Sequence, residues 1–180
     1  MKTKLLSFFE KWASWKSVLA FFALQMLFNL VIMPAFLGSN EHDLPVLDLQ
    51  FFYTPQQAYE IVAAYTPAMR QAAAITRLTL DIIYPLVYGM MLSLLLVLTF
   101  RRAFTPGKIA DLAVFIPWGG VLFDYLENIG FAIIFLSYPK EYFFIAQISA
   151  IFTALKWTLI GVGFVLALIG GVKLIFANKK

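Results

Sequence analysis

The chain has 180 residues with a formal net charge of +4, and 62% of them are hydrophobic while only 13% are charged. A soluble domain is nearer half apolar and a quarter charged, so this composition favours a protein of the lipid bilayer. The absence of cysteine excludes disulfides, Fe–S clusters and zinc–cysteine sites, and a single histidine, His42, cannot build a multi-histidine site. We therefore expect no metal and no cofactor. We also expect no nucleic-acid partner, because the basic residues are scattered over short loops and termini.

Four apolar stretches are each long enough to cross a bilayer. We predict transmembrane helices over about residues 17–38, 75–100, 112–136 and 143–176. Lys2 and Lys4 precede the first stretch as in a signal peptide, but that stretch is too long for a signal core, so we interpret it as a retained helix. The predicted fold is an all-α membrane protein, a four-helix transmembrane bundle that forms a single domain over residues 1–180.

Two smaller elements accompany the predicted bundle. Before the first span, apolar residues recur at helical spacing among lysines, which is typical of a helix lying in the membrane interface; they are Leu5, Phe8, Phe9, Trp12 and Trp15. Residues 39–69 are predicted to form a small helical extracytoplasmic cap. Within them, Thr54-Pro55-Gln56-Gln57 has the signature of a capping box, and Thr66-Pro67 repeats the helix-start signal. The alternation in Leu47–Phe51 predicts a short extended segment.

Basic residues near the span ends are unevenly distributed between the two sides of the predicted membrane. One side holds Lys2, Lys4, Lys11, Lys16, Arg101, Arg102, Lys108, Lys173, Lys179 and Lys180. The other side holds Arg70 and Lys140 among several acidic residues. Because loops rich in lysine and arginine stay in the cytoplasm, both termini are predicted to be cytoplasmic.

Five ionisable side chains lie within or at the edge of the predicted spans: Arg77, Asp81, Asp124, Glu127 and Lys156. A charge at a helix centre costs roughly 2.5 to 3.5 kcal/mol on insertion scales, which offsets about six apolar residues. Such residues face the bundle interior or a wet cavity, pair with one another and mark functional sites. We therefore predict a polar site inside the bundle.

Helical spacing predicts which other residues share this interior. On the second span, Arg77, Asp81, Tyr84 and Tyr88 project from one face, and Pro85 removes the amide that would bond the carbonyl of Asp81. The remaining candidates are Asp124, Glu127 and Asn128 on one face of the third span, Lys156 on the fourth, and Gln25 and Asn29 on the first. The glycines of the fourth span are predicted to pack against another helix and not to cradle a phosphate, because no strand precedes them; they are Gly161, Gly163, Gly170 and Gly171.

The predicted charges do not balance. Three carboxylates, Asp81, Asp124 and Glu127, stand against two cations, Arg77 and Lys156. A shared proton or a bound cation would neutralise the surplus carboxylate. The alternative is an ion-pair network that only locks the helices together, since membrane helices lack a strong hydrophobic drive to associate.

Short motifs add a resemblance. Tyr53-Thr54-Pro55, Arg70, Asp81-Ile82-Ile83-Tyr84-Pro85 and Asp124-Tyr125-Leu126-Glu127-Asn128 resemble a family of small uncharacterised bacterial four-helix integral membrane proteins. The resemblance covers roughly residues 47–157. It implies a multi-pass protein of the bacterial inner membrane and brings no activity with it.

Three functions remain open from the sequence. The first is binding or movement of a small polar or amphiphilic ligand, such as a lipid, a sterol-like molecule or a cation, at Asp124 and Glu127 with Lys156 as the counter-charge. The second is a lipid-modifying membrane enzyme that uses a carboxyl of raised pKa, although no nucleophile or metal set is visible, which argues against an enzyme. The third is a structural or accessory subunit. Membrane lipids are the expected partners, and homo-oligomerisation is left open.

Overall fold

The structure, a computed structural model, describes residues 4–37, 46–104 and 107–177. All regular secondary structure in these ranges is helical, which confirms the all-α class. The α-helices are α1 (Lys4–Trp12), α2 (Trp15–Leu27), α3 (Met33–Leu37), α4 (Pro55–Ala64), α5 (Pro67–Leu78), α6 (Leu80–Leu96), α7 (Lys108–Ala113), α8 (Ile116–Ser137) and α9 (Phe143–Ala177). Two π-helical turns, Phe28–Ile32 and Val97–Arg101, and a 3-10 turn, Leu47–Leu49, complete the regular elements of the described residues.

Four helical segments are long and apolar enough to cross a bilayer, as predicted. They are Trp15–Ala35, Leu80–Arg101, Lys108–Ser137 and Phe143–Ala177. At 1.5 Å per residue, the 35 residues of α9 extend over about 52 Å, whereas the hydrocarbon core of a bilayer is about 30 Å thick. In a bilayer α9 must therefore tilt or project beyond the lipid.

Side-chain caps fix the starts of α4 and α5. The Thr54 hydroxyl accepts a hydrogen bond from the amide of Gln57 at 3.2 Å, and the Gln57 side chain accepts one from the amide of Thr54 at 2.8 Å. Pro55 follows Thr54, where its missing N–H costs nothing. At α5 the Thr66 hydroxyl accepts from the amide of Met69 at 3.3 Å. Both predicted helix starts are confirmed.

The helix that begins at Pro67 does not continue into the second apolar span. Thr79 has φ −129° and ψ −76°, outside the helical region, and its hydroxyl donates to the carbonyl of Ile75 at 2.6 Å. A threonine hydroxyl bonded to a carbonyl four residues back offers the backbone an alternative to the helical ladder. The apolar helix therefore begins at Leu80, later in the chain than the predicted start near residue 75.

The chain divides into two compact units. Unit 1 contains Met1–Gln25, Leu86–Val121 and Thr158–Lys180, and unit 2 contains Met26–Pro85 and Leu122–Trp157. In unit 1, α1 buries Phe9 against the rings of Phe115 and Trp118, whose centroids lie 5.7 and 6.0 Å away. A buried aromatic cluster thus attaches α1 to the beginning of α8.

Glycines bring α9 close to α6 and its π-helical extension within unit 1. A Cβ built on Gly163 would lie 2.7 Å from a methyl carbon of Leu92, and one built on Gly170 would overlap the backbone of Phe100. Because both contacts advance in the same direction along the chain, the two helices run parallel. Small residues permit this approach of backbones. The predicted packing role is confirmed for Gly163 and Gly170, and it is wrong for Gly161, where a Cβ would meet no described atom within 4 Å.

The core of unit 2 joins the segment before α6 to α8 and α9. Tyr53 is fully buried and its ring lies 6.1 Å from that of Phe131, while Tyr65 lies 5.4 Å from Phe135. Arg70 closes the end of α4 by donating to the carbonyl of Tyr65, and its guanidinium lies 4.5 Å above the ring of Tyr138. Residues 46–69 of the predicted cap are thus a packed part of unit 2, and residues 39–45 of it lie outside the described residues.

Gly170→Ala and Gly161→Ala form a matched pair of tests on α9. The methyl group added at Gly170 would overlap the backbone of Phe100, whereas a Cβ at Gly161 meets nothing within 4 Å. Overpacking of this kind costs typically about 1–3 kcal/mol. We expect Gly170→Ala to lower the melting temperature of the detergent-purified protein and Gly161→Ala to leave it unchanged or raise it slightly. Equal melting temperatures would show that α9 does not approach Phe100 this closely.

Candidate functional site

Arg77 lies at one end of a buried charge network in unit 2. Its Nη1 is 2.6 Å from Asp48 Oδ2 and 2.9 Å from Asp81 Oδ2, so one guanidinium bridges two carboxylates. The face of the Phe131 ring covers the guanidinium, with 5.4 Å between the ring centroid and Cζ. The arginine is thus paired and largely shielded from solvent in the last turn of α5.

These contacts determine the charge state of the groups that precede the second span. Burial alone would raise the pKa of Asp48, but the charges of Arg77 and Lys156 outweigh it and hold the pKa below its ordinary value. Burial would lower the pKa of Arg77, but Asp48 and Asp81 raise it further above its ordinary value. Asp48 and Arg77 are therefore both charged.

Lys156 forms the other end of the network. Its ammonium contacts the Glu127 carboxylate and lies 4.0 Å from Asp124 Oδ1. Glu127 has no solvent-exposed surface and Lys156 is only 4% exposed, so this ion pair lies inside the protein. Because Lys156 is close enough to Asp48 to affect its charge state, the two ends of the network are electrostatically linked.

Neutral polar groups hold the carboxylates in position. The Thr153 hydroxyl lies 2.6 Å from Glu127 Oε1 and 2.9 Å from the carbonyl of Ser149. A hydroxyl has one proton, so it donates to only one of these acceptors at a time. On α8, Asn128 Nδ2 donates to Asp124 Oδ1 at 3.0 Å, one helical turn away.

Asp48 reaches the network from the 3-10 turn Leu47–Leu49, where the sequence predicted an extended segment. The amide of Gln50 donates to the carbonyl of Leu47 at 3.2 Å, and Leu47 is buried. The indole Nε1 of Trp157 donates to the carbonyl of Asp48 at 2.8 Å. A buried leucine and a hydrogen bond from α9 thus place the carboxylate of Asp48 beside Arg77.

Two buried oxygens of this region complete neither a hydrogen bond nor an ion pair with the described residues: Asp48 Oδ1 and the Tyr53 hydroxyl. The Tyr53 hydroxyl lies close to Thr153 and Glu127, and burial raises its pKa, so the phenol stays protonated. Most buried polar atoms in proteins have a partner, and one without a direct partner needs an explanation, such as a bound water or ion. Both an acceptor and a donor are therefore available beside the charge network.

The structure enlarges the charge imbalance that the sequence predicted. Four carboxylates, Asp48, Asp81, Asp124 and Glu127, share the network with two cations, Arg77 and Lys156. The surplus is two carboxyl groups instead of one. Within the described ranges, no group of three or more histidine or acidic residues is arranged to hold a metal ion.

The ten sequence-predicted site residues are not all brought together. The network contains Arg77, Asp81, Asp124, Glu127, Asn128 and Lys156. Tyr84 is half-buried in unit 2 with its ring 5.9 Å from that of Phe28, and Asn29 is exposed. Gln25 and Tyr88 belong to unit 1.

Sequence reasoning missed Asp48, Tyr53 and the hydrogen-bonding role of Thr153. In the sequence, Asp48 is one of several acidic residues of a predicted loop. The only signal that distinguished it was its place between two apolar residues, Leu47 and Leu49. Thr153 lies between Ser149 and Lys156 on the same face of α9, so its spacing was a usable signal.

No family model, curated protein or solved structure matches the chain. The resemblance to a bacterial membrane family therefore stays a prediction.

A double-mutant cycle tests the ion pair on α8 and α9. Lys156→Met leaves the Glu127 carboxylate buried without its counter-charge, and breaking a buried pair from one side costs roughly 3 to 5 kcal/mol. We expect this variant to melt at a lower temperature in detergent and the double variant Lys156→Met/Glu127→Gln to recover much of the loss. Lys140→Met, at an exposed lysine, is the control and should melt like the wild type. Purely additive effects of the two substitutions would contradict the ion pair.

Proposed function

We propose that the chain is a multi-pass protein of a bacterial inner membrane, a four-helix transmembrane bundle with cytoplasmic termini, an interfacial α1 and an extracytoplasmic cap. The distribution of charge supports this orientation. The described residues of unit 1 include seven basic and two acidic side chains, whereas those of unit 2 include four basic and six acidic ones. The exposed Leu5, Phe8 and Trp12 of α1 provide an apolar surface for the membrane interface.

Cysteine labelling tests this topology directly, because the chain has no cysteine of its own. Glu60→Cys on α4 and Lys108→Cys on α7 each introduce one thiol at an exposed position. In right-side-out membrane vesicles, a membrane-impermeant maleimide should label Glu60→Cys at once and Lys108→Cys only after the vesicles are opened. The reverse pattern would show that the termini lie outside.

For the function, we propose that the network binds or moves a small polar or amphiphilic ligand that carries positive charge. The observation that carries this proposal is the surplus of two carboxylates over cations among largely buried, hydrogen-bonded groups. Charges taken out of water are costly unless they are paired. A cationic ligand would balance the surplus carboxylates, and an amphiphilic one can reach the network from the lipid.

The groups around the surplus charge fit an organic cation better than a metal ion. Metal ions of the magnesium and calcium type need several oxygen ligands converging on one point, and the described acidic residues form no such group. The network instead offers dispersed carboxylates, the Tyr53 hydroxyl and the aromatic ring of Trp157, which already lies 5.5 Å from the Lys156 ammonium. Aromatic faces and carboxylates together bind ammonium-type cations.

Asp124 is the carboxylate best placed to receive such a ligand. Lys156 contacts Glu127 closely but stands 4.0 Å from Asp124 Oδ1, beyond hydrogen-bond length. A cation bound at Asp124 would therefore leave the contact between Lys156 and Glu127 in place. The side-chain amide of Asn128 holds the Asp124 carboxylate in place by a hydrogen bond.

Binding of two probes of equal shape and opposite charge tests the proposal. We expect the detergent-purified protein to bind tetraphenylphosphonium and not tetraphenylborate in calorimetric titrations. Asp124→Asn should weaken binding of the cation about tenfold or more, a loss of about 1.4 kcal/mol, while Lys156 keeps its contact with Glu127. Glu60→Gln removes an exposed carboxylate from α4 and should bind like the wild type. Equal binding of both probes, or of the cation by wild type and Asp124→Asn, would contradict the proposal.

A structural role is the second candidate, because both cations of the network already have close carboxylate partners. In that case the network only holds the helices and loop of unit 2 together. The coupling measured between Lys156 and Glu127 would then persist while neither probe binds the wild type.

A further inference from the structure

Unit 1 contains an apolar groove between α6 and α9 that the proposed function does not use. The groove has a volume of about 320 Å³ and is lined by Leu95, Phe164, Leu168, Gly171, Val172 and Ile175, together with Ala167. It is independent of the charge network, whose residues all belong to unit 2.

Two adjacent glycines shape this groove in different ways. Gly170 has no side chain, so the backbone of α9 lies directly against Phe100 and the two helices are in close contact there. A Cβ on Gly171 would meet only the Thr99 methyl carbon, at 4.0 Å, so the missing side chain leaves open space. The lining side chains of Phe164 and Leu168 remain exposed beside it. The groove thus lies beside a place where the two helices are in close contact.

The length of the groove matches one leaflet of a membrane. Phe164 and Ile175 are eleven positions apart on α9, which corresponds to about 16 Å at 1.5 Å per residue. Half of a hydrocarbon core about 30 Å thick is about 15 Å. One acyl chain running from the membrane surface toward the midplane would therefore fill the groove.

Basic side chains lie at the end of the groove that Ile175 marks. Lys173 is exposed, and its Nζ lies 3.8 Å from the centroid of the Phe104 ring, which follows the π-helical turn after α6. Because α6 and α9 run parallel, the exposed Arg102 lies at the same end of the helix pair. Positive charge is thus concentrated where a lipid head group would meet water.

The acidic residues described in unit 1 do not neutralise this end. Both of them contact Arg101, which lies 2.7 Å from Glu10 Oε1 and 2.8 Å from Asp111 Oδ1. Lys173 and Arg102 are therefore left to attract an anion from outside this part of the chain.

We infer that the groove between α6 and α9 is a binding site for an anionic phospholipid, with one acyl chain along α9 and the phosphate beside Lys173 and Arg102. Juxtamembrane basic residues attract anionic lipids, and each contributes a factor of about five to the affinity. The apolar lining accepts the chain of any phospholipid, so the basic residues supply the preference for negative charge.

Native mass spectrometry of the full-length protein in detergent tests this site. The protein is incubated with phosphatidylglycerol or phosphatidylcholine of the same acyl chains, and the retained lipid is measured. We expect the wild type to retain phosphatidylglycerol preferentially. Lys173→Gln should reduce that preference about fivefold and leave retention of phosphatidylcholine unchanged. Lys140→Gln, an exposed lysine of unit 2, is the control and should behave like the wild type.

Two further variants test the chain-binding part of the groove. Gly171→Leu fills the open space, and Leu168→Asn places a polar group at a lining position whose side chain is exposed. Both should lower retention of both lipids, and Leu168→Asn decides the matter if Gly171→Leu fails to fold. The inference would be overturned if the wild type retained the two lipids equally or if Lys173→Gln behaved like the wild type. It would also be overturned if soluble glycerol phosphate displaced phosphatidylglycerol as well as a second phospholipid does.

Discussion

The arrangement of unit 2 depends on the Arg77 guanidinium, which bridges Asp48 and Asp81 at 2.6 and 2.9 Å. These carboxylates come from different parts of the chain, one from the turn before α4 and one from the first turn of α6. Without the arginine, two negative charges would face each other in poorly solvated surroundings. At least one carboxylate would then have to move away or become protonated. The bridge therefore fixes the position of the turn that carries Asp48, and with it the buried Tyr53 a few residues later.

The two units use different means of bringing apolar helices together. In lipid, helices gain little from hydrophobic contact alone, so close packing and polar contacts must supply the association energy. Unit 1 relies on packing, since Gly163 and Gly170 allow α9 to touch Leu92 and Phe100 directly. Unit 2 combines both means, because a Cβ on Gly130 would overlap the Ser149 hydroxyl close to the Lys156–Glu127 ion pair. The free-energy cost of burying charge in unit 2 is thus offset only when these particular residues are in contact.

Helical periodicity allowed much of the fold and part of the candidate site to be predicted. Composition and run length identified four helices able to span a membrane, and spacing placed Asp124, Glu127 and Asn128 on one face, where all three are buried. Periodicity is a property of one helix and carries no information about a partner elsewhere in the chain. It therefore could not show that Asp48 pairs with Arg77, nor that Asn29 faces outward from a π-helical turn. The break at Thr79 was missed because a threonine hydroxyl can either leave a helix intact or interrupt it.

Thr153 connects the charge state of the network to its hydrogen bonds. Its single proton can serve Glu127 or the carbonyl of Ser149, which lie 2.6 and 2.9 Å away. When Glu127 is ionised, the hydroxyl stabilises the carboxylate by donating to it. When Glu127 carries a proton, the carboxyl can donate to Thr153, which then donates to Ser149, so the Thr153 hydroxyl is hydrogen-bonded in both states. The same heavy-atom positions around Thr153 accommodate both hydrogen-bonding patterns, and the free-energy cost of protonating Glu127 therefore lies in the counter-charge that Lys156 loses.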